Sequence, residues 1–289
     1  MTSLTGADLT TYVLTLTCAD RPGLVRAVSS FLDEHGCDIV ESQQFDDVTG
    51  EEFYMRVQFR AVDGKVGALR EGFADVAARH EMTWALVDST VPFRTLIMVS
   101  KFGHCLNDLL YRHSTGTLNI VIPAIVSNHR DHERLADAFD VPFFHVPVTA
   151  DTKPAAEAEL LRLVDDLEID LVVLARYMQV LSDDLTKQLD GRAINIHHSF
   201  LPSFKGARPY HQAFDRGVKL IGATAHYVTP DLDEGPIIEQ DVARVDHRTT
   251  ADQMVRAGRD VEATVLSRAV RWHAESRLLH GRNRVVVFP

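Results

Sequence analysis

Around Pro92 the hydrophobic pattern of this chain changes character, and that change constrains the fold more than any other feature of its 289 residues. Upstream, apolar and polar residues alternate: Tyr12, Leu14, Leu16 and Cys18 recur at every second position with Thr15 and Thr17 between them, the period of a half-buried strand. Downstream, the stretches 96–99, 118–126, 143–146 and 171–175 are apolar runs, broken only by Asn119 and His145, and are separated by helical stretches such as 155–167. Strands apolar on both faces and joined through helices belong in a parallel sheet covered on both sides. The segment 89–94 therefore reads as a linker, and the chain as two domains, residues 1–90 and 91–289.

In the first domain Asp20-Arg21-Pro22-Gly23 breaks the opening strand. Leu24, Ala27, Val28, Phe31 and Leu32 then follow at the spacing of one helix face, up to Gly36. Strands are expected over 38–45 and 53–60 around a turn at 46–50, then a helix carrying Val66, Leu69, Phe73 and Val76, then a strand over 82–87. The order βαββαβ predicts a ferredoxin-like sandwich. The strand, the Asp20–Leu24 loop and the helix resemble the ACT family of regulatory domains. That resemblance implies that the loop binds a small amino acid, glycine or methionine, through Asp20 and Gly23, and that the chain forms a homo-oligomer. A glycine lets the backbone approach a ligand, and a helix N-terminus offers free N–H groups to a carboxylate. The same residues also allow a plainer arrangement, in which Asp20 caps the helix and Gly23 makes the turn.

Composition excludes several classes of function. A formal charge of -11 argues against binding nucleic acid, which needs clustered Lys and Arg. Cys18, Cys37 and Cys105 form no CxxC pair, so neither a disulfide framework nor a structural zinc site is suggested. The first residues contain no basic segment followed by an apolar stretch, and no run approaches the length of a bilayer span, which predicts a cytoplasmic protein with no membrane partner. The 14 histidines include no HxxxH or HxH pair with carboxylates, so no metal is expected. His197 and His198, adjacent on a strand, are expected to face opposite sides, and His198, His226 and His247 to be hydrogen-bonding or surface residues.

The densest chemistry lies between Arg192 and Gln240. Residues 193–197 read as a short buried strand carrying Asn195 and His197 on one face. The polar loop 198–207 leaves its carboxyl end, where open α/β sheets bind ligands. A strand over 222–228 leads into an acidic turn holding Asp233, and a last helix starts near Thr250, with Gln253 as a capping-box partner.

Asn195, His197, Ser199, Leu201 and Pro202, followed by Leu232, Asp233, Gly235 and Ile237, resemble the signature of the folate-dependent formyltransferases. The likeness extends to Ser100-Lys101, His104-Cys105-Leu106, Ser127-Asn128-His129 and Leu174-Ala175-Arg176-Tyr177-Met178, and it is strongest to the hydrolytic branch, the formyltetrahydrofolate deformylases. The loop after the first strand of the catalytic domain, Ser100 to Leu106, holds one glycine and bulky neighbours, unlike the Gly- and Ser-rich phosphate cradle of the transferases. The resemblance implies an open, mostly parallel, Rossmann-like catalytic domain that hydrolyses 10-formyltetrahydrofolate to tetrahydrofolate and formate without a cofactor. Such a reaction supplies formate for purine biosynthesis and balances the one-carbon folate pool.

In that reading Asn195 and His197 stabilise the oxyanion and Asp233 activates water, directly or through His197, with burial raising its pKa. By the same resemblance, Met178, Gln179, Val180 and Leu181, with Val228 and Leu232, hold the pterin. Transfer to an amine acceptor and non-catalytic sensing are the competing readings; the missing cradle counts against the first, and the intact Asn195, His197, Asp233 set against the second.

Overall fold

The computed structural model describes residues 9–201, 209–282 and 284–289, which gather into two compact units. Pro202 and the loop residues up to 207 lie outside the described residues, as does the start of the chain up to residue 8. The first unit contains β1 (Leu9–Ala19), α1 (Leu24–Glu34), β2 (Asp38–Asp47), β3 (Glu52–Val62), α2 (Val66–His80) and β4 (Thr83–Asp88). Its sheet order is β2-β3-β1-β4 with every pair antiparallel, the ferredoxin-like arrangement that the sequence predicted. The alternation in β1 delivers Tyr12, Leu14, Leu16 and Cys18 to one core, where they meet Leu24, Val28 and Phe31 of α1 and Leu69 and Phe73 of α2. Truncating one of the buried leucines to alanine removes about 2–5 kcal/mol by cavity formation. The N-cap of α1 is Gly23, at φ 97, with no side-chain cap. Asp20 therefore does not cap the helix; it is exposed, and its backbone N–H donates to the Glu51 carbonyl at 3.1 Å.

The second unit spans Phe93–Ala274. It contains β5 (Phe93–Val99), α3 (His104–Ser114), β6 (Ile120–Ser127), α4 (Glu133–Ala138), β7 (Phe143–His145), α5 (Lys153–Asp166) and β8 (Leu171–Leu174). There follow α6 (Asp183–Gln188), β9 (Ala193–His197), α7 (Pro209–Arg216), β10 (Leu220–Tyr227), β11 (Ile237–Arg244) and α8 (Ala251–Ala274). The sheet order is β11-β10-β9-β8-β5-β6-β7. The five strands β5 to β9 pair in parallel, and β10 runs antiparallel to both of its neighbours. The chain winds outward from β5 through β6 to β7 and returns to β8, which leaves a topological switch point between β5 and β8 where open α/β sheets place ligands. The four residues of β8 are all buried, as an apolar run in a central parallel strand must be. At the start of α8 the Thr250 N–H donates to Gln253 Oε1 at 2.8 Å and the Gln253 N–H to Thr250 Oγ1 at 3.3 Å, the reciprocal capping box read from the sequence.

The boundary at the end of the chain differs from the sequence expectation of one domain over 91–289. Glu275–Pro289 belongs to the first unit, where β12 (Leu278–His280) and β13 (Val285–Val287) form a hairpin. Leu279 and Phe288 cover Tyr54 of β3, and the buried guanidinium of Arg56 donates to the carbonyls of Glu275 and Ser276, both at 3.1 Å. Two three-residue strands carry too little periodicity to be read in advance, and the partner that fixes them is more than two hundred residues away in sequence.

Candidate active site

Three strand-borne or strand-flanking residues converge because of how β9 and β10 pair. Asn195 and His197 stand two apart on β9 and so share a face. His226 of β10 is the pairing partner of Asn195, and its Nε2 lies 3.2 Å from Asn195 Nδ2. The other ring nitrogen, Nδ1, is 2.9 Å from the Tyr227 carbonyl. A carbonyl only accepts, so Nδ1 carries a proton, and the ring is held with Nε2 turned toward the Asn195 amide.

Asp233 sits on the loop between β10 and β11 with φ 57. The loop folds back so tightly that a Cβ at Gly235 would run into the Tyr227 carbonyl, which explains the glycine two residues after the aspartate. Asp233 Oδ2 lies 3.2 Å from His197 Nδ1, and Oδ1 lies 3.7 Å from His226 Nε2. The hydrogen bond from His197, and then His226, hold the Asp233 carboxyl well below the usual carboxylate range and outweigh its burial. The expectation that burial raises this pKa is thus overturned: two imidazoles face the carboxylate, and their attraction exceeds the desolvation penalty. His197 itself is 5% exposed, and its Nε2 is buried without a hydrogen-bond partner. With Nδ1 oriented by Asp233, Nε2 is the atom free to meet a reactant.

Asn195, His197 and Asp233 line a cavity of about 320 Å³, within the range of small-molecule sites. The same cavity is lined by Met178, Gln179, Val180 and Leu181 after β8 and by Val228 and Leu232 after β10, so the nine residues expected to serve catalysis and pterin binding meet in one place. Met178, Val180 and Leu232 are each more than half exposed and give it an apolar rim. His198 lines the cavity as well, its ring centroid 5.3 Å from that of His197. The expected opposition of the two histidines fails because β9 ends at His197 and strand alternation stops there. Burial, reinforced by Arg176, pushes the His198 pKa down to about 3, so its ring is neutral. His226 is buried inside the site and His247 is exposed.

A model of the formyl transferase family matches residues 93–270, and an ACT domain model matches residues 12–69. The chain belongs to the formyl transferase family. It is 52% identical over 278 residues to the formyltetrahydrofolate deformylase of Corynebacterium sp. (strain P-1), covering 96% of this chain and 97% of the relative. The crystal structure of formyltetrahydrofolate deformylase from Burkholderia mallei superposes with a TM-score of 0.93 at 52% identity, over 97% of this chain and 100% of that one. A glycinamide ribonucleotide transformylase from Symbiobacterium toebii is similar over 68% of this chain and 95% of its own, with a TM-score of 0.65 and 29% identity.

Several residues of this chain that the sequence flagged only through likeness, or not at all, support the residues that line the cavity. The buried Ser100 hydroxyl donates to Asn128 Oδ1 at 2.7 Å and accepts the Met178 N–H at 3.0 Å, which fixes the bend that carries the rim. Gly103, the single glycine of the Ser100–Leu106 loop, admits the His132 imidazole where a Cβ would collide. Glu262 of α8, 1% exposed, lies 2.8 Å from His104 Nε2, 2.6 Å from the Tyr210 hydroxyl and 3.3 Å from Arg176 Nε. Burial alone would raise the Glu262 pKa, but His104, Arg176 and Tyr210 more than offset it and hold the group ionised. His104, Cys105 and Glu262 bring potential metal-ligand atoms within 4.8 Å of one another. Burial and the Glu262 charge push the Cys105 thiol pKa up, which disfavours the thiolate that binds metals. A charged residue inside the apolar face of a long helix, and a histidine inside the apolar run 222–228, are the signals by which Glu262 and His226 were detectable in the sequence.

Proposed function

We propose that this chain hydrolyses 10-formyltetrahydrofolate to tetrahydrofolate and formate, with Asn195, His197 and Asp233 as its catalytic residues. The observation that carries the reading is the Asp233–His197 pair beside Asn195, with His197 Nε2 unpartnered in a cavity that also has an apolar rim. Water attacks the formyl carbon while His197 Nε2 takes its proton. Asp233, already an anion, stabilises the imidazolium that forms, a role that differs from direct proton abstraction. The side-chain amide of Asn195 donates to the developing oxyanion. The proton on His197 then passes to the folate nitrogen as the C–N bond breaks. Residues 178–181, with Val228 and Leu232, supply apolar surface and backbone hydrogen-bonding groups suited to a flat pterin ring. The chemistry calls for no metal and no cofactor beyond the folate substrate.

The first unit is the regulatory part in this reading. Asp20 is exposed beside Gly23, whose left-handed backbone leaves open space around it, which suits a small amino acid such as glycine or methionine. Ile39, Val40 and Phe45 are exposed on the edge strand β2 and favour a homo-oligomer through that edge. No helix among the described residues is long and apolar enough to cross a membrane, in keeping with a cytoplasmic enzyme. Incubation with 10-formyltetrahydrofolate alone tests the function. Formate and tetrahydrofolate are expected in equal amounts, at a rate that a chelator leaves unchanged. Formyl groups recovered on an added amine, with no formate in its absence, would establish a transferase instead.

A further inference from the structure

Hydrolysis differs from formyl transfer in one electrostatic respect: it creates an anion. Water adds its oxygen to the formyl carbon, the C–N bond breaks, the folate nitrogen takes one proton, and the other proton is released as formic acid ionises to formate. The new anion arises in a cavity already occupied by the Asp233 carboxylate, so a nearby cation is needed to offset the repulsion. Among the described residues lining that cavity, Arg176 is the only lysine or arginine.

Arg176 is built into place rather than lying on the surface. Its backbone is held at φ 65, uncommon for a residue with a side chain, and its carbonyl accepts the Ser100 N–H at 3.3 Å. The side chain is 8% exposed, and its Cζ lies 5.8 Å from the Phe102 ring centroid. Nε faces the Glu262 carboxylate at 3.3 Å, while neither Nε nor Nη1 makes a hydrogen bond although both are buried. Buried guanidinium N–H groups without acceptors are costly and rare, and here they occur beside a reaction centre whose other buried, unpartnered nitrogen is His197 Nε2. Glu262 balances the charge of Arg176 from behind and leaves the guanidinium's remaining donors for an anion of carboxylate geometry.

We propose that Arg176 is the seat of the anionic product, receiving the carboxylate of formate as it leaves the formyl position. The inference rests on the hydrolytic reading and adds to it a product site distinct from the Asn195, His197, Asp233 set.

The test is product inhibition of the full-length enzyme by sodium formate at constant ionic strength, together with formate-induced shifts in melting temperature without folate. Formate is expected to inhibit the wild type, and its inhibition constant to rise about tenfold or more in Arg176→Gln, as expected for loss of a charge-assisted hydrogen bond. Arg176→Lys should recover part of the loss, and inhibition by tetrahydrofolate should be the same in all three proteins. An inhibition constant for formate unchanged in Arg176→Gln would overturn the proposal. If that variant fails to fold, the wild type decides: formate must inhibit and stabilise more strongly than its neutral analogue formamide, and equal effects of the two would overturn it. The melting shift separates this inference from the one beneath it. Formate binding that depends on Arg176 without formate production sinks the hydrolytic reading alone, whereas formate production without such binding sinks the product seat alone.

Discussion

Replacing Asp233 with asparagine keeps the shape of the side chain and removes its charge. In the native site the carboxylate oxygen is 3.2 Å from His197 Nδ1 and mostly shielded from solvent. Two unit charges at that separation attract by roughly 5 kcal/mol at an effective dielectric constant of about 20. In the proposed mechanism His197 becomes an imidazolium as it takes the proton from water, so the full attraction between two unit charges develops in the transition state, beyond the hydrogen bond already present in the ground state. At about 1.4 kcal/mol per decade, its loss predicts a fall in kcat of about three to four orders of magnitude, with little change in affinity for folate. Steady-state formate release and equilibrium binding of tetrahydrofolate measure the two quantities separately. A variant that retains kcat within tenfold of the wild type would refute the assignment and move the base elsewhere. A variant that loses folate binding in parallel with kcat would instead show that Asp233 builds the pocket.

The same group sets a pH dependence. Its folded-state pKa lies below the unfolded value, so it contributes stability that is present above the ordinary aspartate pKa of about 3.9 and is lost as pH falls from there through the folded value. Urea melts should therefore show a stability gap between wild type and Asp233→Asn at neutral pH that narrows below about pH 4; a gap that widens in acid would contradict the direction of the shift. His226→Leu removes the ring nitrogen that lies 3.2 Å from the Asn195 amide and orients it, and is expected to lower kcat by about ten- to a hundredfold with the fold retained by circular dichroism. Unchanged turnover would mean that Asn195 needs no such support. Ser100→Ala frees the Met178 N–H and should raise KM for the folate by about tenfold, more than it lowers kcat, because it loosens the rim and leaves the reacting groups in place. A loss confined to kcat would speak against that role.

The sequence revealed most where one strand carried its own pattern. Tyr12, Leu14, Leu16 and Cys18 announced both the strand and its core face, and the spacing of Asn195 and His197 placed them on one side of β9 before any partner was known. The Thr250–Gln253 cap was equally local. What stayed hidden depends on pairing across the chain. The antiparallel course of β10 sets His226 against Asn195, and nothing in residues 222–228 specifies the neighbour or its direction. The sign of the Asp233 pKa shift was misjudged for the same reason, since burial is suggested by an apolar context whereas the two imidazoles that outweigh it arrive from other strands. The hairpin at the end of the chain has short strands and a distant partner in Tyr54, so its place in the first unit is a tertiary fact. Arg176 looks in the sequence like any charged residue after a strand; only its burial, its φ of 65 and its idle donors set it apart.

The central claim is that water, activated by His197 and Asp233, is the nucleophile. Turnover of 10-formyltetrahydrofolate in water enriched in oxygen-18, without any amine, tests it most directly through the mass of the formate released. One oxygen-18 atom per formate, formed at the rate at which tetrahydrofolate appears, is the expected result. Formate that carries no label, or label that appears only after an amine is added, would contradict the account.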